Sequence, residues 1–408
     1  MRNKILVKKE LWVFTAVALI ALFVLAACGP TLTTPPAGEK MVEIVDLTPL
    51  TGPTAAPEQI GMRGLQDYVK YFNEEERIPG VTIGLLWSDT GREMARFVSA
   101  YRKFVARGVP LFFSDDTICI AALKSQIEKD QVPFVSGSVS APVIYPPGWA
   151  YCLWPTFGEV STAVLDYFME NWEEERAPRV VYVGADDEMG RGGAEEVSEY
   201  AKSIGMEMLP WEFAYYVVVD ATPQLLRIKD READLVMIQS IVPAAAPILR
   251  DAERLGLLDE MQFAGLEFSM GETLIRIAGP AAEGYLAPRC TPWFDETEIP
   301  GIKAIRDIQE RYRGEVQEDP EYMGGWLGGA IMCEATKRAI EEVGYENLDG
   351  AAIKRALDGM EGFDVDGMAK ITYTPEQRRG CGMVAVYQIQ GGDIVRVSDW
   401  REVPLLVP

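Results

Sequence analysis

Residues 111–140, LFFSDDTICIAALKSQIEKDQVPFVSGSVS, constrain the fold more than any other stretch. Leu111, Phe112 and Phe113 form a short apolar run that stops at Ser114-Asp115-Asp116-Thr117. Over 118–130, Ile118, Leu123 and Ile127 recur at helical spacing among Lys124, Glu128 and Lys129. Residues 132–135 are largely apolar again, and Ser136-Gly137-Ser138-Val139-Ser140 follow. The pattern predicts strand, loop, helix, strand, loop. Two parallel strands joined by one helix become neighbours in a sheet. Their carboxyl ends then lie side by side, at the edge where open α/β sheets bind ligands. Thr117 stands at a helix start, where free N–H groups and the helix dipole favour an anion. Thr117, Ser138 and Ser140 are therefore predicted to cradle a carboxylate. The same residues would serve equally as an N-cap and turn formers.

The alternation extends along the chain. Strands are expected over 42–47 and 81–87 and helices over 60–76 and 91–107, with 48–59, TPLTGPTAAPEQ, as a turn-rich loop. Residues 142–156 break the rhythm with four prolines and two tryptophans, as a crossing between lobes would. Strands are then expected over 179–184, 212–219, 233–240, 261–265 and 284–288, between helices over 157–172, 190–205, 223–230, 243–255 and 271–278. Helices over 302–311, 322–343 and 351–357 precede a β-rich end from Lys370. The expected class is α/β: two doubly wound, Rossmann-like lobes joined by a multi-strand hinge. Gly190, Gly192 and Gly193 match neither a dinucleotide nor a Walker spacing and read as a strand-to-helix turn.

Residues 1–28 read as an export signal: Arg2, Lys4, Lys8 and Lys9 precede an apolar run over 11–27 that is short for a membrane span. The run ends in Leu25-Ala26-Ala27-Cys28, like the lipobox of bacterial lipoproteins, which implies cleavage before Cys28 and lipidation of its thiol. An ordinary anchor with a chance cysteine is the alternative. Residues 29–40, rich in Pro and Thr, read as a tether. The protein would then be lipid-anchored but folded outside the membrane, extracytoplasmically.

The formal net charge is −23, which argues against nucleic acid or anionic lipid as partner. The chain has no histidine, which removes Ser-His-Asp and Cys-His catalysis and makes a zinc site improbable. No metal and no cofactor are expected. The runs Glu74-Glu75-Glu76 and Glu173-Glu174-Glu175 read as solvated faces. Cys119, Cys152, Cys290, Cys333 and Cys381 form no CxxC. No pairing is assigned, and Cys119 to Cys152 is a guess at most.

From Met41 to about Trp400 the chain resembles the substrate-binding proteins of ABC importers of the branched-chain amino acid type. The resemblance lies in the order of LTPLTGP, the central module, VVYVGADDEMGRG, ADLVMIQS, ILRDAERLGL, QFAGLEF and AGPAAEGYL. It implies the type I periplasmic-binding-protein fold, with residues 41–156 and 289–383 in lobe I and 157–288 and 384–408 in lobe II. It also implies a ligand clamped between the lobes. Aligned on the family, Thr117 and Ser140 fall on its carboxylate-binding hydroxyls, Ser138 on a backbone contact and Glu267 on its ammonium-binding acid. Met189 and Ile241 fall where the ligand side chain is met, and their apolar character favours an aliphatic or aromatic one. Asp115 or Asp116, if turned inward, would repel an anion; a cap role pointing away is expected. Trp87 and Asp89 are candidates for the cleft mouth.

The expected function is non-enzymatic: capture of a small amino acid or related carboxylate and delivery to ABC permease subunits. A ligand sensor using the same clamp, or a binder of aromatic acids or amides, are the alternatives. An exported enzyme using a carboxylate pair is disfavoured by the missing histidine.

Overall fold

The computed structural model describes residues 40–406, apart from Ser138. The expected export signal, Cys28, nearly all of the tether and Ser138 lie outside the described residues. The first sheet is built from β1 (Lys40–Thr48), β2 (Val81–Asp89), β3 (Phe112–Phe113), β4 (Phe134–Ser136) and β5 (Ala150–Cys152). All pairings are parallel and the order is β2-β1-β3-β4-β5. β1 is an inner strand and apolar on both faces, as a strand covered by helices on either side must be; Ile44, Val45 and Leu47 are all fully buried. The order reverses between β1 and β3, so a crevice opens at their carboxyl ends.

The second sheet contains β6 (Arg179–Gly184), β7 (Glu207–Met208), β8 (Glu212–Phe213), β9 (Leu235–Gln239), β10 (Gln262–Gly265) and β11 (Leu286–Arg289). Its main path runs β15-β14-β11-β10-β9-β6-β7, where β14 is Met383–Gln390 and β15 Asp393–Arg396. β14 adds antiparallel to β11, and β16 (Arg401–Glu402) pairs with β14. Here the reversal falls at β6, between β7 and β9. A small hairpin of β12 (Phe363–Asp364) and β13 (Lys370–Ile371) completes the strands.

The chain crosses between the two lobes more than once. It leaves the first sheet through 153–156 into the helix Phe157–Glu170. After β11 it returns to build the helices Pro300–Arg313 and Pro320–Val343 against the first lobe. It then passes through 372–382 into β14. The outgoing and final crossings are stitched together: Cys152 N–H donates to Arg378 O, and Gly380 N–H to Cys152 O, both at 2.8 Å.

Helix Pro320–Val343 lies directly on helix Ala55–Glu74 because glycines remove the side chains between them. A Cβ on Gly64 would stand 2.1 Å from Tyr322 O, and one on Gly325 1.8 Å from Gly61 O. Trp326 fills the next turn, edge-on to Tyr68 at 5.0 Å and stacked on Tyr71 at 5.7 Å.

Three expected segments differ. Residues 142–156, expected as a crossing between lobes, begin with the last three residues of the short helix Ala141–Ile144 and supply β5 to the first sheet, so only 153–156 cross. The loop expected over 48–59 becomes helix from Ala55, because Pro57 sits in the first turn, where a missing N–H costs nothing. The strand expected over 212–219 is only Glu212–Phe213; beyond it Tyr215 and Val219 face solvent, which apolar composition alone did not reveal. The five described cysteines are free and buried, so the guessed Cys119–Cys152 bond is absent; the Cys152 thiol donates to Gly137 O at 2.6 Å. Glu74 to Glu76 and Glu173 to Glu175 are exposed. No helix among the described residues is long and apolar enough to cross a membrane.

Candidate functional site

Both reversal points open onto one cavity between the lobes, with about 520 Å³ of empty space that includes its open mouth. Each wall residue follows from its place after a strand. β1 leads through Gly52, at φ +94°, to Thr54, the N-cap of helix Ala55–Glu74, and to Pro57 and Glu58 in its first turn. β2 leads to Arg92. β3 leads to Asp115 and Thr117. Glu321 comes from the first turn of helix Pro320–Val343.

The opposite wall is apolar. Met189 follows β6, Ile241 follows β9, Phe268 follows β10, and Tyr216 follows β8; Phe157, on the crossing helix, closes the back. Phe157 meets Phe268 edge-to-face at 6.4 Å. Gln239 Nε2 donates to Met189 O at 3.1 Å and holds that wall in place. The cavity thus has a polar, charged floor from one lobe and a greasy roof from the other.

The structure therefore brings Thr117, Met189 and Ile241 to one cavity, and places Ser140 and Glu267 elsewhere. Ser140 is fully buried, and its hydroxyl donates to Glu188 Oε1 at 2.5 Å across the lobes. Its strand edge is the expected one, but the second lobe's helix claims the hydroxyl. Glu267 is buried in the turn after β10, beside Cys290 and Arg289; its neighbour Phe268 takes the place in the wall. Trp87 faces a separate groove beside Asp67 and Tyr312. Asp89 accepts from Thr51 N–H, Thr51 Oγ1 and Gly91 N–H and so ties two loops together.

The aspartates divide in a way the sequence did not reveal. Asp116 caps helix Thr117–Asp130, accepting from Cys119 N–H at 3.3 Å. Asp115, expected to point away, lines the cavity instead. Its Oδ1 accepts from Gly137 N–H at 2.6 Å, and a Cβ at Gly137 would stand 2.8 Å from that oxygen, so any side chain there would push the carboxyl aside. Burial pushes the Asp115 carboxyl up to about 6, against its bonds to Gly137 and Ser136, with the charge of Asp116 adding. Beneath it Asp46 is pushed up to about 8 by burial, against a hydrogen bond from Thr48, with Asp115 adding.

Thr54, Glu58, Arg92, Tyr216 and Glu321 were missed in sequence. The signal existed for two of them: Thr54 precedes a Pro-containing helix start, and Asp319-Pro320 is an N-cap followed by proline, with Glu321 next. Nothing local marks Arg92 or Tyr216, which meet only in three dimensions. Arg92 Nη2 donates to Tyr216 Oη at 2.7 Å, and that hydroxyl donates to Asp187 Oδ2 at 2.7 Å. The three residues bridge the mouth of the cavity.

Two doubly wound lobes, crossed repeatedly by the chain and enclosing a small mixed polar and apolar cavity, define a solute-binding clamp. Residues 42–393 match the periplasmic binding protein family, and the chain belongs to it. A branched-chain amino acid ABC transporter protein from Thermus thermophilus, solved with bound valine, is 26% identical. The match covers 90% of this chain and 98% of that one, with a TM-score of 0.83. A possible leucine/isoleucine/valine-binding protein from Rhodopirellula baltica is 18% identical over 90% of this chain and 98% of that one, with a TM-score of 0.78. A fatty acid ABC transporter substrate-binding protein from Thermomonospora curvata is 18% identical over 93% and 95%, with a TM-score of 0.78. No curated protein matches by sequence. The fold class and family expected from the sequence stand: this is a type I periplasmic binding protein of the ABC-transporter kind, a binder rather than an enzyme, with an extracytoplasmic place of work.

Proposed function

We propose that the protein captures a small amino acid, or a closely related amine-bearing carboxylate, and hands it to an ABC permease. The single observation that carries this reading is the pairing of opposite chemistries on one cavity floor. Thr54 and Thr117 stand at the starts of two helices, one of 20 residues and one of 14, where an anion is favoured. Glu58, Asp115 and Glu321 supply acids for an ammonium. The apolar roof receives the side chain. Ligand binding draws the lobes together, and the closed form is what the permease recognises. Lipidation at Cys28 would keep the clamp at the membrane surface.

The test is calorimetric titration of the refolded, ligand-free protein with a panel of amino acids and, as a comparison, a medium-chain fatty acid. An amino acid is expected to bind, and Thr117→Val to weaken it by about 10- to 100-fold, the worth of one hydrogen bond to a charged group. Binding of the fatty acid with none of the amino acids would refute the reading.

A further inference from the structure

The cavity's charges do not balance. Glu58, Asp115 and Glu321 bring three carboxyl groups to it and Arg92 a single guanidinium. That guanidinium already has a second-lobe partner. It donates to Tyr216 Oη, lies 4.2 Å from the centre of that ring, and stands 3.9 Å from Asp187 Oδ2. Asp115 is held by Gly137 N–H and, at 3.5 Å, by the Ser136 hydroxyl. The carboxyl groups of Glu58 and Glu321 have neither a hydrogen bond nor an ion pair among the described residues. Both side chains are half-buried, and acids left without partners in a cleft are found where something else is to be bound.

An independent observation marks the same floor. Thr54 is 3% exposed, lines the cavity, occupies an N-cap position without capping, and its Oγ1 has no partner. A buried hydroxyl in that state is a donor kept for a ligand. It lies one helical turn before Glu58, so one end of one helix offers both a hydroxyl and an acid.

A zwitterion with an aliphatic side chain brings one ammonium, enough for one acid. Resting on the amino-acid reading above, we propose that the ligand carries a second cation: a basic α-amino acid with an amine or guanidine side chain. Its carboxylate lies toward Thr54 and Thr117, and its two cationic groups share Glu58, Asp115 and Glu321. Its methylenes run under Met189, Ile241 and Phe268. Burial supports the division of labour. It drives the Glu58 carboxyl well above its usual range, with Asp115 and Asp46 adding and Arg92 opposing. It does the same to Glu321, with Asp319, Glu58, Asp115 and Glu267 adding. A bound cation removes that penalty and a neutral side chain does not.

L-Lysine and L-norleucine differ essentially by the terminal amine and form the decisive pair, with L-arginine and L-valine alongside. Titrated into the refolded, ligand-free full chain, lysine or arginine is expected to bind at least about tenfold tighter than norleucine or valine, as one charge-assisted contact gives. In Glu321→Gln that preference is expected to shrink to about threefold or less, whatever the variant does to norleucine itself; Glu58→Gln serves as the second variant if the first fails to fold. Norleucine or valine binding as tightly as both basic amino acids would overturn the proposal and leave the amino-acid reading intact. Binding of neither kind would overturn both.

Discussion

Asp46 illustrates how a single enclosed carboxyl sets a pH response. It is 1% exposed in the middle of the first lobe. The unfolded chain ionises it near its ordinary value of about 4, whereas burial in the folded protein delays ionisation to about 8. Between those values the native state holds a proton that the unfolded state has lost. Stability from this group is therefore fully present below about pH 4 and declines as pH rises toward 8. Asp115, Glu58, Glu321 and Asp319 are shifted in the same direction by burial. Urea unfolding from pH 5 to 8 should show falling stability. Asp46→Asn should flatten part of that fall and leave the variant more stable than the parent at pH 8, on the order of 2–5 kcal/mol at most. Equal slopes for the two proteins would refute the assignment.

At the scale of elements, the crossing of helices Ala55–Glu74 and Pro320–Val343 positions Glu58 and Glu321, which sit in their first turns. Two adjacent glycines in the sequence GGWLGGA make opposite predictions. Gly325 faces the partner helix, where a Cβ would collide with Gly61 O at 1.8 Å; Gly324 has nothing within 4 Å. Gly325→Ala should force the helices apart, cost about 1–3 kcal/mol, and weaken ligand binding along with stability. Gly324→Ala should be neutral or stabilising by about 0.5–1 kcal/mol, through lower freedom in the unfolded chain. Chemical denaturation of both variants checks the contrast, and similar losses at the two positions would show that the contact does not set the crossing.

For the whole molecule the question is what holds the lobes together over the cavity. Beyond the Arg92, Tyr216 and Asp187 bridge, the Ser140 hydroxyl donates to Glu188, and Ala141 N–H and the Thr156 hydroxyl both donate to Glu196. Burial pushes Glu196 up to about 7, against its bonds to Thr156, Ala141 and Gly158. Ser140 lies outside the cavity wall, so Ser140→Ala tests closure without touching the cavity wall. The variant should lose about 0.5–1.5 kcal/mol of closing free energy, and every ligand should weaken by a similar factor of about 2- to 12-fold. Small-angle scattering at fixed sub-saturating ligand should show a larger radius than the parent. A loss confined to carboxylate ligands would instead restore Ser140 to the direct role that its sequence position implied.

Alternation of apolar runs with helical periods determined by itself that this chain makes two parallel-sheet lobes, because strands buried on both faces and one-sided helices admit few other packings. Met189 and Ile241 came only from the family resemblance, while the same local logic carried Thr117 to a strand end, where ligands bind. It could not say which strand-end side chains share a cavity. Ser140 and Glu267 occupy the expected kind of position yet turn to Glu188 and Cys290, while Glu58, Arg92, Tyr216 and Glu321 arrive from segments far apart in the chain. Which groups meet depends on the angle between lobes and on glycine-mediated helix contacts, and those are properties of packing, decided only when the chain is folded.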